Sequence, residues 1–337
     1  MRCARAEEGD AHAGAIVPPR RCDARADPGF GQVSSDVGAE RRMAPPGGNQ
    51  PAMDSRGRLL VSCSDRPGIV AAIARFLFEC GANIVHSDQH STDPWGGQFL
   101  MRVDFELPDL TTRADDLRAC FAEQVGRRFD MSWRLALAGR RKRLAVFVSR
   151  EDHCLLELLW QQRSGDLRAD VVMVIGNHHV LAPVAEQWSV PFHHVAAPPG
   201  RHAEAEERHR ELLDEGVDAI VLARYMQIVS PAFVADWRHR IINIHHSFLP
   251  AFVGARPYTQ AHDRGVKLIG ATAHYVTEEL DAGPIIEQDV QRVDHRHQVD
   301  DLRRIGRQIE RVVLARAVRW HVEDQILVHG AKTVVFA

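Results

Sequence analysis

From residue 144 onward, short apolar runs alternate with amphipathic stretches. Runs rich in Val, Ile, Leu and Met occupy 144–149, 170–175, 219–223 and 241–244, with a shorter one at 192–195. Continuous apolar runs of this length predict strands buried on both faces. Their alternation with helical periodicity predicts a largely parallel sheet. Helices are predicted at 152–160 with Asp152 as cap, at 180–188, at 202–215 as a charged, exposed helix, and at 231–237. The last has Ser230 as its cap and Pro231 at its first position. Further strands are predicted at 267–276 and 285–293. A long helix then opens at Asp300 or Asp301 with Leu302, Ile305, Ile309, Val312 and Val313 inside, and short strands at 325–328 and 333–336 close the chain.

Residues 57–138 form a smaller unit. A strand at 58–62 leads into the turn Asp65-Arg66-Pro67-Gly68, with Asp65 placed to cap the next helix. Ile69, Ile73, Phe76 and Leu77 recur at helical spacing, and Gly81 ends that helix. Strands at 82–91 and 98–106 flank a hairpin turn. Leu117, Phe121 and Val125 share one face of a second helix, and 131–137 is the last strand. The order βαββαβ is the ferredoxin-like plan. The expected fold is therefore α/β: a ferredoxin-like domain at 57–138, a basic, solvated linker at 139–143, and a Rossmann-like domain with a mostly parallel sheet at 144–337. Residues 1–52 show no apolar periodicity. They read as a disordered tail, or as an over-long start with initiation at Met43 or Met53.

The chain has 337 residues and is 45% apolar, enough for two domains with full cores. A formal net charge of -3 argues against nucleic acid as a partner. No apolar run reaches membrane-spanning length. The six cysteines are scattered without CxxC spacing, which fits a reducing cytoplasm better than a disulfide framework.

A phosphate-cradling loop after the first strand of the larger domain would be glycine-rich. Ser149-Arg150-Glu151-Asp152-His153 has no glycine and two acids, so no nucleotide cofactor is expected. The adjacent histidine pairs face opposite ways along a strand and make poor metal sites, so no metal is expected. The stretch Ile241 to Pro250 is different. Along a strand, Asn243 and His245 point one way while Ile242 and Ile244 point the other. An amide that donates to a developing oxyanion, beside an imidazole that moves a proton, suits a reaction at a carbonyl. Two satisfied polar residues at a strand end is the bland alternative. A carboxylate completes such a site, and Asp281, immediately before the turn at Gly283-Pro284, is the candidate held most rigidly. Glu278 and Glu279 are rivals, and an Asx turn is the plain reading of Asp281.

Two resemblances add to this. Ser64-Asp65-Arg66-Pro67-Gly68-Ile69-Val70, followed by Gly81-Ala82-Asn83-Ile84, resembles an ACT domain. Such domains pair edge to edge and bind a small effector, often an amino acid. The resemblance implies a homo-oligomer and makes Asp65, Gly68 and Asn83 candidate effector contacts; a purely oligomerising role is the alternative.

From about residue 144 to the C-terminus, Leu222-Ala223-Arg224-Tyr225-Met226-Gln227-Ile228-Val229-Ser230-Pro231, then Asn243-Ile244-His245, then Leu280-Asp281-Ala282-Gly283-Pro284 resemble the formyltransferases that use 10-formyltetrahydrofolate. The resemblance implies a catalytic trio of Asn243, His245 and Asp281. It also implies a pterin held by Met226, Gln227, Ile228 and Val229 and by the loop containing Glu278 and Leu280. Folate is then substrate, and no cofactor is needed. Gln227 departs from the family, which often has a basic residue there. Glycinamide ribonucleotide transformylases have the phosphate loop missing here and usually read His-Pro where this chain reads His245-His246. The run from His245 through Tyr258, with a leading ACT domain, resembles the hydrolase branch, which releases formate and tetrahydrofolate in one-carbon and purine metabolism. A formyltransferase with an amine acceptor, and a catalytically silent sensor, remain as alternatives.

Overall fold

The structure is a computed structural model and describes residues 54–93, 96–198, 200–249 and 257–337. The expected tail at 1–52, and residues 250–256 of the run from His245 to Tyr258, lie outside the described residues.

The first domain comprises β1 (Arg56–Ser64), α1 (Ile69–Glu79), β2 (Asn83–Ser91), β3 (Gln98–Glu106), α2 (Leu110–Phe121) and β4 (Ser132–Leu137). Its antiparallel sheet has the order β2-β3-β1-β4, the ferredoxin-like arrangement. Alternate β1 residues Leu59, Val61 and Cys63 pack under Ile73, Leu77 and Phe121 from the two helices. Gly68, at φ 93°, holds the N-cap position of α1, and no side chain caps the helix. Asp65 stands three residues too early to reach the free N–H groups; its carboxylate accepts from Ser91 Oγ instead. β2 is a sheet edge, exposed along nearly its whole length.

The second domain begins with β5 (Lys142–Val148), α3 (His153–Ser164), β6 (Ala169–Gly176), α4 (Ala182–Gln187), β7 (Phe192–His194) and α5 (His202–Leu213). It continues with β8 (Ala219–Ala223), α6 (Pro231–Asp236), β9 (Ile241–His245), α7 (Pro257–Asp263), β10 (Leu268–Tyr275), β11 (Ile285–Arg292), α8 (Val299–Val322), β12 (Ile326–His329) and β13 (Lys332–Val335). The seven-stranded sheet has the order β11-β10-β9-β8-β5-β6-β7. Strands β7 through β9 are parallel and β10 and β11 antiparallel. The chain runs outward from β5 to β7, then crosses to β8 on the other side of β5. That reversal makes a topological switch point, where open α/β sheets bind ligands beyond their carboxyl ends.

Helix α8 covers one face, packing Val313, Leu314 and Val318 against Val146, Val221, Ile242 and Ile244. Helices α5 and α6 cover the other, around Phe147, Ile175, Leu212 and Phe233. Three expectations change here. Val312 is exposed, because successive helical residues diverge by about 100° and Val313 takes the inward position. Helix α5 buries Ala205, Glu206, His209, Leu212 and Leu213, so only its outer face is solvated. Asp152 occupies the N-cap position of α3 without a side-chain capping bond.

The basic segment is not simply a solvated connector. Lys142 and Arg143 open β5, and Lys142 Nζ lies 2.5 Å from Asp324 Oδ1. The same buried carboxylate, just past α8, takes Arg134 from β4 and Arg58 from β1, while Arg102 Nε donates to the Asp324 carbonyl at 3.1 Å. One acid thus fastens three strands of the first domain to the second. No helix among the described residues is long and apolar enough to cross a membrane.

Candidate active site

The alternation along β9 sends Ile242 and Ile244 into the core under α8 and brings Asn243 and His245 to a cavity of about 480 Å³. The loop after β8 and the loop after β10 form its other walls. Arg224, Tyr225, Met226, Gln227, Ile228 and Val229 come from the first; Thr277, Glu278, Leu280 and Asp281 come from the second. All nine residues expected for catalysis and substrate binding therefore converge on one cavity. Met226, Ile228 and Leu280 line it yet are 60%, 70% and 61% exposed, an apolar rim suited to a flat ring.

The loop after β8 is anchored to the core. Met226 N–H donates to Ser149 Oγ at 2.9 Å, and Ser230, which caps α6 by accepting from Phe233 N–H at 3.2 Å, donates its own N–H and hydroxyl to Glu206. The loop after β10 is shaped by a close approach. A Cβ on Gly283 would lie 1.7 Å from the Tyr275 carbonyl, and Tyr275 N–H donates to Pro284 O at 2.9 Å. Asp281 just upstream adopts the left-handed region at φ 56°, which aspartate tolerates better than most residues.

That backbone aims the carboxylate at two imidazoles. Asp281 Oδ2 lies 3.2 Å from His245 Nδ1, and Oδ1 lies 3.6 Å from His274 Nε2, beyond hydrogen-bond range. The His245 contact, first of the causes, holds the Asp281 carboxyl well below the usual carboxylate range, so it is ionised. His274 Nδ1 lies 3.0 Å from the Tyr275 carbonyl, which can only accept, so Nδ1 carries a proton. In neutral His274, Nε2 then accepts from Asn243 Nδ2 at 3.2 Å. One amide hydrogen of Asn243 is fixed and the other is left for a ligand. His245 Nε2 is buried with no partner among the described residues, which marks a position that a ligand atom would complete.

A second polar cluster adjoins the cavity. Glu310 accepts from the Tyr258 hydroxyl at 2.8 Å, meets His153 Nε2 at 2.8 Å and lies 3.5 Å from Arg224 Nε. Burial alone would raise its carboxyl, but His153, Arg224 and Tyr258 outweigh burial and lower it. His153, Cys154 and Glu310 have ligand atoms within 4.8 Å of one another. Their chemistry does not suit a cation: the Glu310 oxygens are already engaged, and the Arg224 guanidinium opposes a second positive charge. His246, beside this cluster, is pulled down to about 4 by burial first, then by Arg224 and His245.

The effector candidates are not brought together within one chain. Asp65 and Gly68 lie at the Ser91 end of β2, and Asn83 begins the strand at the other end. Eight strand steps, about 26 Å, separate Asn83 from Ser91, the residue bonded to Asp65.

The second domain matches the formyl transferase family over residues 142–318, and the first matches the ACT domain over residues 57–120. A Bacillus subtilis formyltetrahydrofolate deformylase is 55% identical over 284 residues, spanning 84% of this chain and 94% of that protein. The chain belongs to the formyltetrahydrofolate deformylases. Crystal structures of two deformylases are similar over most of the chain. That from Pseudomonas syringae pv. tomato is 46% identical with a TM-score of 0.80, covering 84% of this chain and 95% of that one. That from Burkholderia mallei is 41% identical with a TM-score of 0.79, covering 84% and 100%.

Within this deformylase fold, sequence reasoning missed His274, Arg224 and Glu310. His274 carried a signal: with Thr272 it is a polar residue at alternating positions in an otherwise apolar strand. Glu310 carried a weaker one, an acid among the inward positions of α8. Arg224 carried none, since its left-handed backbone at φ 62° is visible only in three dimensions.

Proposed function

We propose that the chain hydrolyses 10-formyltetrahydrofolate to tetrahydrofolate and formate. The observation that carries this reading is the unpartnered His245 Nε2 beside the fixed Asn243 amide, facing an apolar-rimmed cavity. The pterin ring lies against Met226 to Val229 and Leu280, with Gln227 and Glu278 at its polar edge. The formyl carbon stands between Asn243, His245 and Asp281. Water attacks it, positioned by the ionised Asp281. His245 Nε2 takes a proton from that water, the free Asn243 N–H and the resulting Nε2–H stabilise the oxyanion, and His245 then gives the proton to N10 as the C–N bond breaks. Asp281 holds the imidazole orientation and stabilises its charged form. This chemistry requires no cofactor beyond the folate substrate. Transfer to an amine is disfavoured by the acidic, glycine-free loop after β5, which offers a phosphorylated acceptor no cradle.

The exposed β2 edge supports pairing of two copies through their ACT domains. Asp65 and Gly68 of one copy would then contribute with Asn83 of another to an amino-acid effector site. Cys63, Cys80, Cys120 and Cys154 form no disulfide among the described residues, which fits a cytoplasmic setting. The test is direct. With 10-formyltetrahydrofolate and no added amine, the purified chain should release formate and tetrahydrofolate in equal amounts. Turnover only when an amine is supplied would overturn the hydrolase reading.

A further inference from the structure

The crevice at the switch point between β5 and β8 is occupied by the chain itself. Four elements each send a polar group there: His153 from the start of α3, Arg224 from the end of β8, Tyr258 from α7 and Glu310 from α8. The Glu310 side chain is 1% exposed and is held by the other three. His246 joins this network to the reacting centre, its ring 5.1 Å from that of His245 and 6.2 Å from that of Tyr258. Arg224 and His246 also line the catalytic cavity. The network therefore forms the wall beside His245, next to where a second reactant must stand.

Two features show that this wall is built into the fold. A Cβ on Gly306 of α8 would lie 1.9 Å from the Tyr258 hydroxyl, so the helix has no side chain where Tyr258 passes to Glu310. Arg224 reaches Glu310 from a left-handed backbone, which a residue with a Cβ adopts only at a steric cost.

We propose that the Arg224–Glu310–His153–Tyr258 network, with His246 against it, determines the acceptor: it fills the crevice that an amine would enter and leaves the reaction to water. The proposal rests on the hydrolysis proposed above. In hydrolysis the C–N10 bond breaks, a C–O bond to water forms, N10 gains one proton, and formate leaves with release of the other. With an amine, a new C–N bond forms, the amine's proton passes to N10, and no formate appears. A site that admits both divides its product between formate and a formamide.

The test supplies 10-formyltetrahydrofolate and rising glycinamide to the full chain and quantifies tetrahydrofolate, formate and N-formylglycinamide. In the unaltered protein, formate should equal tetrahydrofolate at every glycinamide concentration. Gly306→Ala displaces Tyr258, and Tyr258→Leu removes the ring. Each should yield N-formylglycinamide, with a formamide-to-formate ratio at least about tenfold above the detection limit set by the unaltered protein, the lower range for discrimination by pocket shape. Tyr258→Phe keeps the packing and removes only the hydroxyl tie; if it alone folds, its ratio decides, and it must exceed that of the unaltered protein. An unchanged ratio in folded, active variants overturns the proposal, as does formamide from the unaltered protein. Absence of formate from the unaltered protein without amine is a separate result, and it strikes the hydrolase reading itself.

Discussion

His245 Nδ1 lies 3.2 Å from Asp281 Oδ2, and that contact commits the other ring nitrogen, Nε2, to the cavity side of the imidazole. The two residues are 36 positions apart and come from different strands' ends. A β-strand brings one and a left-handed turn ahead of Gly283-Pro284 brings the other.

Removing either partner of the reacting centre should lower kcat and spare substrate binding. Asn243→Ala removes one oxyanion donor and should reduce kcat about a hundred- to a thousandfold. Asp281→Asn keeps the shape but loses the charge that orients His245, and should cost at least as much. Steady-state kinetics with KM unchanged to within a few fold supports the assignment; near-normal kcat in either variant refutes it.

His274 lines the cavity and holds the Asn243 amide at 3.2 Å. His274→Ala frees the Asn243 amide to rotate and should lower kcat by up to about a hundredfold, the scale of an ångström-sized misplacement. KM should hold. A rise in KM alone would show that His274 shapes the pocket instead.

His209 is 2% exposed, packed against Phe147 at a centroid distance of 4.8 Å, and neither ring nitrogen has a partner among the described residues. Burial pulls it down to about 4. Below the ordinary histidine value near 6.5 the unfolded chain binds a proton that the folded chain refuses. Stability should therefore fall between roughly pH 6.5 and 4, by up to about 1.4 kcal/mol per pH unit from this residue. His209→Leu should flatten that slope and raise stability at neutral pH by about 1 kcal/mol. Urea titrations across the window would show it; an unchanged slope would mean that His209 is protonated in the fold.

Asp324 is the buried anchor for Lys142, Arg134 and Arg58. Asp324→Ala leaves three cations facing one another and should cost about 3–5 kcal/mol. Denaturant unfolding measures the loss, and limited proteolysis between residues 138 and 142 should accelerate. A loss under about 1 kcal/mol would place the pair among weak, solvent-screened contacts.

Much of this was legible locally. The apolar runs at 170–175 and 219–223 became β6 and β8, and the βαββαβ order emerged as an antiparallel ferredoxin-like sheet. Period-two alternation put Asn243 and His245 on one face because a strand leaves no other choice. The caps failed more often. Ser230, with an extended backbone, caps α6 as expected, but Asp65 falls three residues before the N-cap of α1, and Asp152 sits at the N-cap of α3 with a helical backbone that does not aim its carboxylate at the first N–H groups.

By itself the sequence determined the two domains, their strand and helix order apart from α7, the Asn243–His245 face and the turn that holds Asp281, because each depends on local periodicity or on glycine and proline at a fixed place. Only the tertiary structure decided that His274 braces Asn243, that Lys142 is buried against Asp324, and that Arg224, Tyr258, His153 and Glu310 close the crevice. Those contacts join residues up to 182 positions apart. No local pattern encodes them; they exist because sheet order and helix packing bring distant side chains within hydrogen-bond reach, where burial favours pairing of the polar groups that meet.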